Sequence, residues 1–346
     1  MSKTILLGDL HFGVSGASIP HHEYMRKFFK DFFEYIDEHD IRTVIQLGDM
    51  FDVRKHINTW SLNFFKETFL VEVLKRNLIV YVLLGNHDIF YRESLEISSV
   101  EEVLKDYKGS FVIVKQPIDV DINNNSFLLI PWVCKENVND VQAAITNSRS
   151  TYCAGHFEFN GFELFKGQIA KTHYNHTDYK KFKQVFSGHY HHKSSKDNVL
   201  YTGTPYELTW SDCNTEKGFF VLDGTDLTFV PNKHTLYSHF SLSSVDKIVS
   251  NLITDKFVKI VVDKVITPKE RDVLLDTIHT LKPHSIRLIE KQIDVETNNV
   301  TFESVSGISD LIVDYVSAIE LPAGVDKEDL SSLMMSWYVE ASANAS

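Results

Sequence analysis

Five short stretches of this sequence place metal-ligand side chains directly after a glycine. They read Gly8-Asp9-Leu10-His11, Gly48-Asp49-Met50-Phe51-Asp52, Gly85-Asn86-His87-Asp88, Gly155-His156 and Gly188-His189-Tyr190-His191. A donor set of Asp, His and Asn without Cys suits Mn²⁺, Fe or Zn²⁺ better than Ca²⁺. A bridging carboxylate among them can hold two cations about 3.5–4 Å apart, the separation that two-metal hydrolases use. Glycine lets the chain turn sharply and bring its backbone close to an ion or a phosphate. Asp9 and His11, like His189 and His191, stand two apart, so in extended chain each pair points to one side. Any one stretch alone reads as a turn with a surface imidazole, since Gly, Asn and Asp all favour turns. Five in this order, each directly after an apolar run, read as one metal site.

The elements that must position these residues follow from the runs before them. Thr4–Leu7, Thr43–Leu47, Ile79–Leu84, Phe127–Ile130, Tyr152–Ala154 and Val185–Phe186 are short and rich in β-branched and aromatic residues, as buried strands are. Between the first two, Phe28, Phe29, Phe32, Phe33 and Ile36 mark a helical stripe within 23–39. Between the next two, Leu62, Phe65, Phe69 and Val73 mark another within 59–76. Strands alternating with helices predict an α/β layered fold, whose functional groups gather beyond the carboxyl ends of the strands. Gly218–Asp223 and Leu227–Pro231 read as closing strands of the same unit.

A smaller unit follows. Phe257–Val262 reads as a strand, Thr267-Pro268-Lys269-Glu270 as a capping box with Pro at the first helical position, and Ser285–Ile289 as a second strand after a helix ending near Leu281. Beyond Ser304, Ile308, Leu311, Ile312, Tyr315, Val316 and Ile319 follow helical spacing. So do Leu330, Leu333, Met334, Trp337 and Tyr338, with Leu321-Pro322-Ala323-Gly324 as the break between the two helices.

Composition bounds the chemistry. The 346 residues are 43% hydrophobic and 24% charged, with a formal net charge of −12. That balance argues against broad wrapping of nucleic acid by a field of Lys and Arg. It leaves room for a phosphodiesterase whose bound cations supply positive charge locally. Three cysteines, Cys134, Cys153 and Cys213, form no CxxC pair, which excludes a disulfide framework and points to a reducing compartment. Thr4–Leu7 is too short for the apolar core of a signal peptide, and no run of 18 apolar residues occurs. The expectation is a cytoplasmic protein with no membrane segment.

As a set, the five motifs resemble the calcineurin-like metallophosphoesterases across roughly residues 1–235. Val53-Arg54-Lys55, Ile130-Pro131-Trp132, Tyr201-Thr202-Gly203-Thr204-Pro205 and Gly218-Phe219-Phe220-Val221-Leu222-Asp223 add a narrower resemblance to SbcD-type recombination nucleases, above all their bacteriophage branch. The resemblance implies a layered metallophosphoesterase core over 1–235, a β-sandwich flanked by helices. It also implies a small α/β DNA-binding capping domain over 236–300 and C-terminal helices over 301–346 that dock on an SMC-like, SbcC-type ATPase. It implies one metal held by Asp9, His11, Asp49 and His191, and a second held by Asp49, Asn86, His156 and His189. The ions would be two Mn²⁺, with Mg²⁺ or another divalent metal as substitutes. His87 would protonate the leaving oxygen and Asp52 would pair with it. The nuclease would act on DNA as a homodimer, in the host cytoplasm if phage-encoded.

The remaining polar residues carry their own expectations. Arg54 and Lys55 stand beside the site and could hold a DNA phosphate. Asp88 reads as a turn residue supporting the ligands. His192 reads as solvated, and His21, His22, His173 and His176 as loop histidines at the surface. Lys180-Lys181-Phe182-Lys183 reads as a solvated face and Cys153 as core. A phosphatase or cyclic-nucleotide phosphodiesterase would use the same site motifs, but needs no appendage of about 110 residues. A scaffold that has lost catalysis would lack ligands, and here each ligand that the resemblance implies is in place.

Overall fold

The structure, a computed structural model, describes residues 3–165, 168–244 and 249–290. In chain order its strands are β1 (Thr4–Leu7), β2 (Thr43–Gln46), β3 (Ile79–Leu83), β4 (Phe111–Val114), β5 (Ile118–Ile122), β6 (Asn125–Ile130), β7 (Tyr152–His156), β8 (Glu163–Phe165), β9 (Gln168–Ile169), β10 (Gln184–Gly188), β11 (Ser194–Lys196), β12 (Val199–Tyr201), β13 (Gly218–Asp223), β14 (Asp226–Pro231), β15 (Tyr237–Ser241), β16 (Phe257–Val262) and β17 (Ser285–Glu290). Two six-stranded sheets, ordered β14-β13-β1-β2-β3-β4 and β11-β12-β10-β7-β6-β5, form the core. In the first sheet β1, β2, β3 and β4 run parallel and the antiparallel pair β13-β14 extends the edge beside β1; in the second, β12, β10, β7 and β6 run parallel between the antiparallel edge strands β11 and β5.

Alternation along each strand makes the layers. Ile5 and Leu7 of β1 pack outward against the helices, while Leu6 packs inward. Val80 and Val82 of β3 face outward and Leu83 inward; on the second sheet Leu128 and Ile130 face outward, Phe127 and Leu129 inward. The inward set from both sheets forms one apolar layer, so the core is a β-sandwich with helices outside it. The helix Ile19–Glu38 covers the first sheet with Phe28, Phe29, Phe32, Phe33 and Ile36, all buried. Phe29 stacks on Phe12 with centroids 5.4 Å apart.

The second stripe is helical over Thr59–Lys75, but its middle, Lys66–Leu70, widens to a π-helix. The extra residue per turn resets the phase, so that Phe64, Phe65, Phe69, Leu70 and Val73 are all buried.

A third, all-parallel sheet, β15-β16-β17, carries the helix Pro268–Thr280, which starts at the Thr267–Glu270 capping box. Val258, Ile260 and Val262 on one face of β16 join Ile253 and Ile278 in a separate small core. The helices expected beyond Ser304, and with them the docking region 301–346, lie outside the described residues. No helix among the described residues is long and apolar enough to cross a membrane.

Candidate metal centre

The five glycine-led stretches meet beyond the carboxyl ends of β1, β2, β3, β7 and β10. Ligand atoms of Asp9, His11 and His191 lie within 4.8 Å of one another, and so do those of Asp49, His156 and His189. Asp49 stands between the two groups: its Oδ2 is 3.3 Å from His156 Nε2 and 3.8 Å from His11 Nε2. Asn86 completes the second group, with Oδ1 3.0 Å from both His156 Nε2 and His189 Nδ1. Asp9 and His11 do point into one group. His189 and His191 do not: the two rings diverge into separate groups.

The main chain orients the ligands. His156 Nδ1–H donates to the Leu47 carbonyl at 2.8 Å, which leaves Nε2 to face Asp49 and Asn86. Asp9 accepts from the His189 N–H at 2.9 and 3.1 Å, and Asp49 Oδ1 from the His87 N–H at 2.7 Å. His11 Nε2 is buried with no hydrogen-bond partner. An orphaned buried imidazole nitrogen, beside a carboxylate shared by two donor groups, fits a pair of divalent cations.

Glycine serves this packing in a way the sequence reading did not foresee. A Cβ on Gly48, where φ is +104°, would lie 2.3 Å from His156 Nδ1, and one on Gly85 would lie 2.2 Å from Asp49 Oδ1. What approaches these glycines is the ligand side chain from a neighbouring strand end.

The charges are strongly coupled by burial. Burial opposes the charge on His156, yet Asp49 and Asp9 outweigh it and carry the imidazole up to about 9. His11 rises to about 9 in the same way, against burial, through its contact with Asp52 and the charges of Asp49, Asp52 and Asp9. Burial pushes Asp9 up; Asp49 is held well below the carboxylate range because His156, His87 and His11 overcome its burial. His191 is pushed well down by burial, with His11 adding to it.

Several expectations are corrected. The Asp52 carboxylate lies 3.2 Å from His11 Nδ1; what it offers His87 is its backbone carbonyl, 2.5 Å from His87 Nδ1. His21 and His22 sit in the helix Ile19–Glu38, both buried. His21 bonds Ser18 Oγ at 2.6 Å and the Tyr237 hydroxyl at 3.0 Å, so it ties this helix to β15. His176 is buried against Asp197 at 2.7 Å, and His192 is buried 3.7 Å from Asp212. Within the lysine run, Lys181 donates to the carbonyls of Ile145, Thr146 and Ser148, closing the end of the helix Val138–Asn147. Each of these roles depends on a distant segment, which local pattern does not reveal.

Asp88 is fully buried and accepts from Met50 N and Gly85 N at 2.9 Å each, bracing both ligand loops. Arg54 Nε donates to the Asn86 carbonyl at 2.8 Å, and Lys55 is exposed beside it. His173 is exposed and Cys153 is core. Of two further residues at the site, Trp132 entered the sequence reading only as part of the resemblance, and Glu158 went unread. Trp132 packs its ring 5.3 Å from that of His189, and Glu158 reaches to 3.9 Å from His189 Nε2. The alternation Phe157-Glu158-Phe159, with both Phe side chains buried, could have shown that Glu158 faces the site.

The family model described as calcineurin-like phosphoesterase matches residues 2–262 of the chain. Exonuclease subunit 1 of Enterobacteria phage T4 is 34% identical over 352 aligned residues, which cover 98% of this chain and 99% of the relative. The DNA double-strand break repair protein Mre11 of Nanoarchaeum equitans is 40% identical over 50 residues, 14% of each chain. Among solved structures, a dimetal phosphatase from Danio rerio shares 12% identity over 64% of this chain and 91% of its own, at a TM-score of 0.42.

Proposed function

The chain belongs to the calcineurin-like phosphoesterase family, and from that premise we propose that it is a metal-dependent DNA nuclease, the hydrolytic subunit of a recombination or repair complex. One observation carries the reading furthest. Two donor groups, Asp9–His11–His191 and Asn86–His156–His189, flank one shared carboxylate, Asp49, in a chain alike along its whole length to a phage exonuclease subunit. When bound there, two divalent ions, Mn²⁺ in this reading, would neutralise the phosphodiester and lower the pKa of the attacking water.

The chain's own groups supply the rest. Donation from His87 Nδ1 to the Asp52 carbonyl fixes the ring and leaves Nε2 to carry the proton for the leaving oxygen. His87 stands 5.0 Å from His11, ring to ring, at the edge of the ligand cluster, where a scissile phosphate would lie. Arg54, braced on Asn86, and Lys55 would hold a flanking phosphate. Asp52 acts on the ligand His11 through its carboxylate and on His87 through its carbonyl.

The larger assembly is part of the same proposal. Residues 301–346 dock on an SMC-like ATPase, 236–300 form a DNA-binding cap on the 1–235 core, and two chains pair as a homodimer in the cytoplasm. The test incubates wild type and His87→Ala with end-labelled duplex DNA in Mn²⁺ and in EDTA, beside a phosphomonoester and a cyclic nucleotide. Wild type should cut DNA only with Mn²⁺; the variant should keep its metal and lose about 10²–10⁴-fold in rate. Hydrolysis of the small esters with DNA left intact would move the assignment to a phosphatase or cyclic-nucleotide phosphodiesterase.

A further inference from the structure

The main chain of His191 is held by a buried ion pair, Lys217 with Asp212. Its carbonyl accepts from Lys217 Nζ at 2.8 Å and from Thr204 N at 3.1 Å. Lys217 is 4% exposed, and its ammonium makes two further donations, to Thr204 Oγ1 at 2.8 Å and to Asp212 Oδ1 at 2.6 Å. All three of its N–H bonds are therefore used. Asp212 is fully buried, and its other oxygen accepts from Leu208 N at 3.0 Å and Thr209 N at 2.9 Å. The pair is thus a fixed post, anchored in the 208–212 turn.

Gly203 lets the neighbouring strand end lie against the same loop. Its φ is +71°, and a Cβ there would come within 3.0 Å of the His191 carbonyl oxygen and 2.9 Å of Lys193 N. This accounts for Tyr201-Thr202-Gly203-Thr204-Pro205, a motif that the metal ligands and the acid leave without a task. A buried ammonium is costly unless its partners are complete, and a well-packed apolar pair would be as stable. Stability alone gives no reason for Lys217 to aim a donor at this carbonyl.

We propose that Lys217, held by Asp212, is a positioning residue that fixes the His191 main chain and so assembles the metal subsite of Asp9, His11 and His191. The subsite of Asp49, His156 and His189 keeps main-chain supports of its own, the Leu47 carbonyl on His156 and the His87 N–H on Asp49. The proposal rests on the metal-centre reading given above.

Calorimetric titration of the full chain with Mn²⁺ tests it. Wild type should take up two ions. Lys217→Met should bind one ion within about 2-fold of wild type and the other about 10–100-fold more weakly. Equal weakening of both subsites in a folded variant, or of neither, overturns the proposal. Should Lys217→Met fail to fold because Asp212 is left alone, the same titration is read on Asp212→Asn/Lys217→Met, which leaves no buried charge unpaired. Loss of folding there, or two intact subsites, makes the pair a scaffold only and also overturns the proposal. A wild type that takes up no second ion counts against the metal-centre reading itself, before any variant is compared.

Discussion

The carboxylate of Asp52 lies 3.2 Å from Nδ1 of His11, while the carbonyl of the same residue sits 2.5 Å from Nδ1 of His87. One residue thus touches the His11 imidazole with its side chain and the His87 imidazole with its main chain. Substitution at 52 can change the first contact and spare the second. An acid held by a main-chain oxygen keeps its ring orientation whatever side chain stands at that position, which separates the two roles experimentally.

Asp52→Asn tests that separation. The Asp52 charge helps to carry His11 up to about 9, so a metal entering at neutral pH must displace a proton. Without that charge the imidazole should titrate roughly one unit lower, the ordinary effect of losing a neighbouring opposite charge. Mn²⁺ loading, followed from pH 5.5 to 9, should therefore keep its acid limb to lower pH in the variant. At pH 9, where protons no longer compete, the variant should bind about 10-fold more weakly, because the ligand has lost basicity. Cleavage at saturating Mn²⁺ should fall by less than about 10-fold, since the carbonyl anchor of His87 is retained. An unchanged loading curve with cleavage abolished would return Asp52 to a direct partnership with His87.

Proton release should accompany loading of the chelator-stripped protein. His11 and His156 both titrate at about 9, so at pH 7 each carries a proton that a metal must expel. Calorimetry in two buffers of different ionisation enthalpy should report about two protons released per chain at pH 7, declining toward none above pH 9. Stability follows the same sign. Both folded-state values lie above the ordinary histidine value of about 6.5. The contribution is therefore full below about 6.5 and is lost as pH rises through about 9. Thermal melts of the stripped protein should fall across that window, and release of less than about half a proton at pH 7 would contradict the assignment.

Gly85→Ala should disable both halves of the centre at once. Its added methyl would meet Asp49 Oδ1 at 2.2 Å and Asp49 N at 2.4 Å, and Asp49 is the carboxylate common to the two groups. Uptake of both ions should drop by more than about 10-fold in a chain that keeps its far-ultraviolet dichroism. Retention of one full-affinity site would show that Asp49 does not bridge.

That glycine also marks the limit of what the sequence discloses. The order of glycine, carboxylate and imidazole after each apolar run marked where side chains of ligand type would gather, because strand ends in such a layered fold converge. It did not show what packs against the glycines, since which atom fills the space beside Gly85 depends on the loop after β2, 30 or more residues earlier. β4 and β5 escaped notice for a related reason. They are edge strands: in β5 the exposed Ile118, Asp119 and Asp121 break the apolar run, while the unbroken run Phe111–Val114 of β4 leads into no glycine-led ligand stretch. Nothing in the local pattern marks Lys217 and Asp212, which the fold brings together beneath the His189–His191 loop. Pairing across a fold leaves no trace in local pattern.

His22 provides a test of stability away from the site. Expected at the surface, it is instead buried in the helix Ile19–Glu38 and stacked on Phe64 with ring centroids 4.1 Å apart and planes within 3°. Neither ring nitrogen has a hydrogen-bond partner. Burial, with the charges of His21 and Arg26, lowers its titration to about 4. A depressed histidine is neutral in the fold while the unfolded chain takes up a proton below about 6.5, so the fold loses stability as pH falls from about 6.5 toward 4. At pH 5 that loss amounts to at most about 2 kcal/mol. His22→Leu removes the titrating group and keeps an apolar filling against Phe64. Chemical unfolding at pH 8 and pH 5 should show a smaller pH difference for the variant than for wild type, by about 1–2 kcal/mol. Equal differences in the two proteins would mean that the His22 ring reaches water and titrates like a surface histidine.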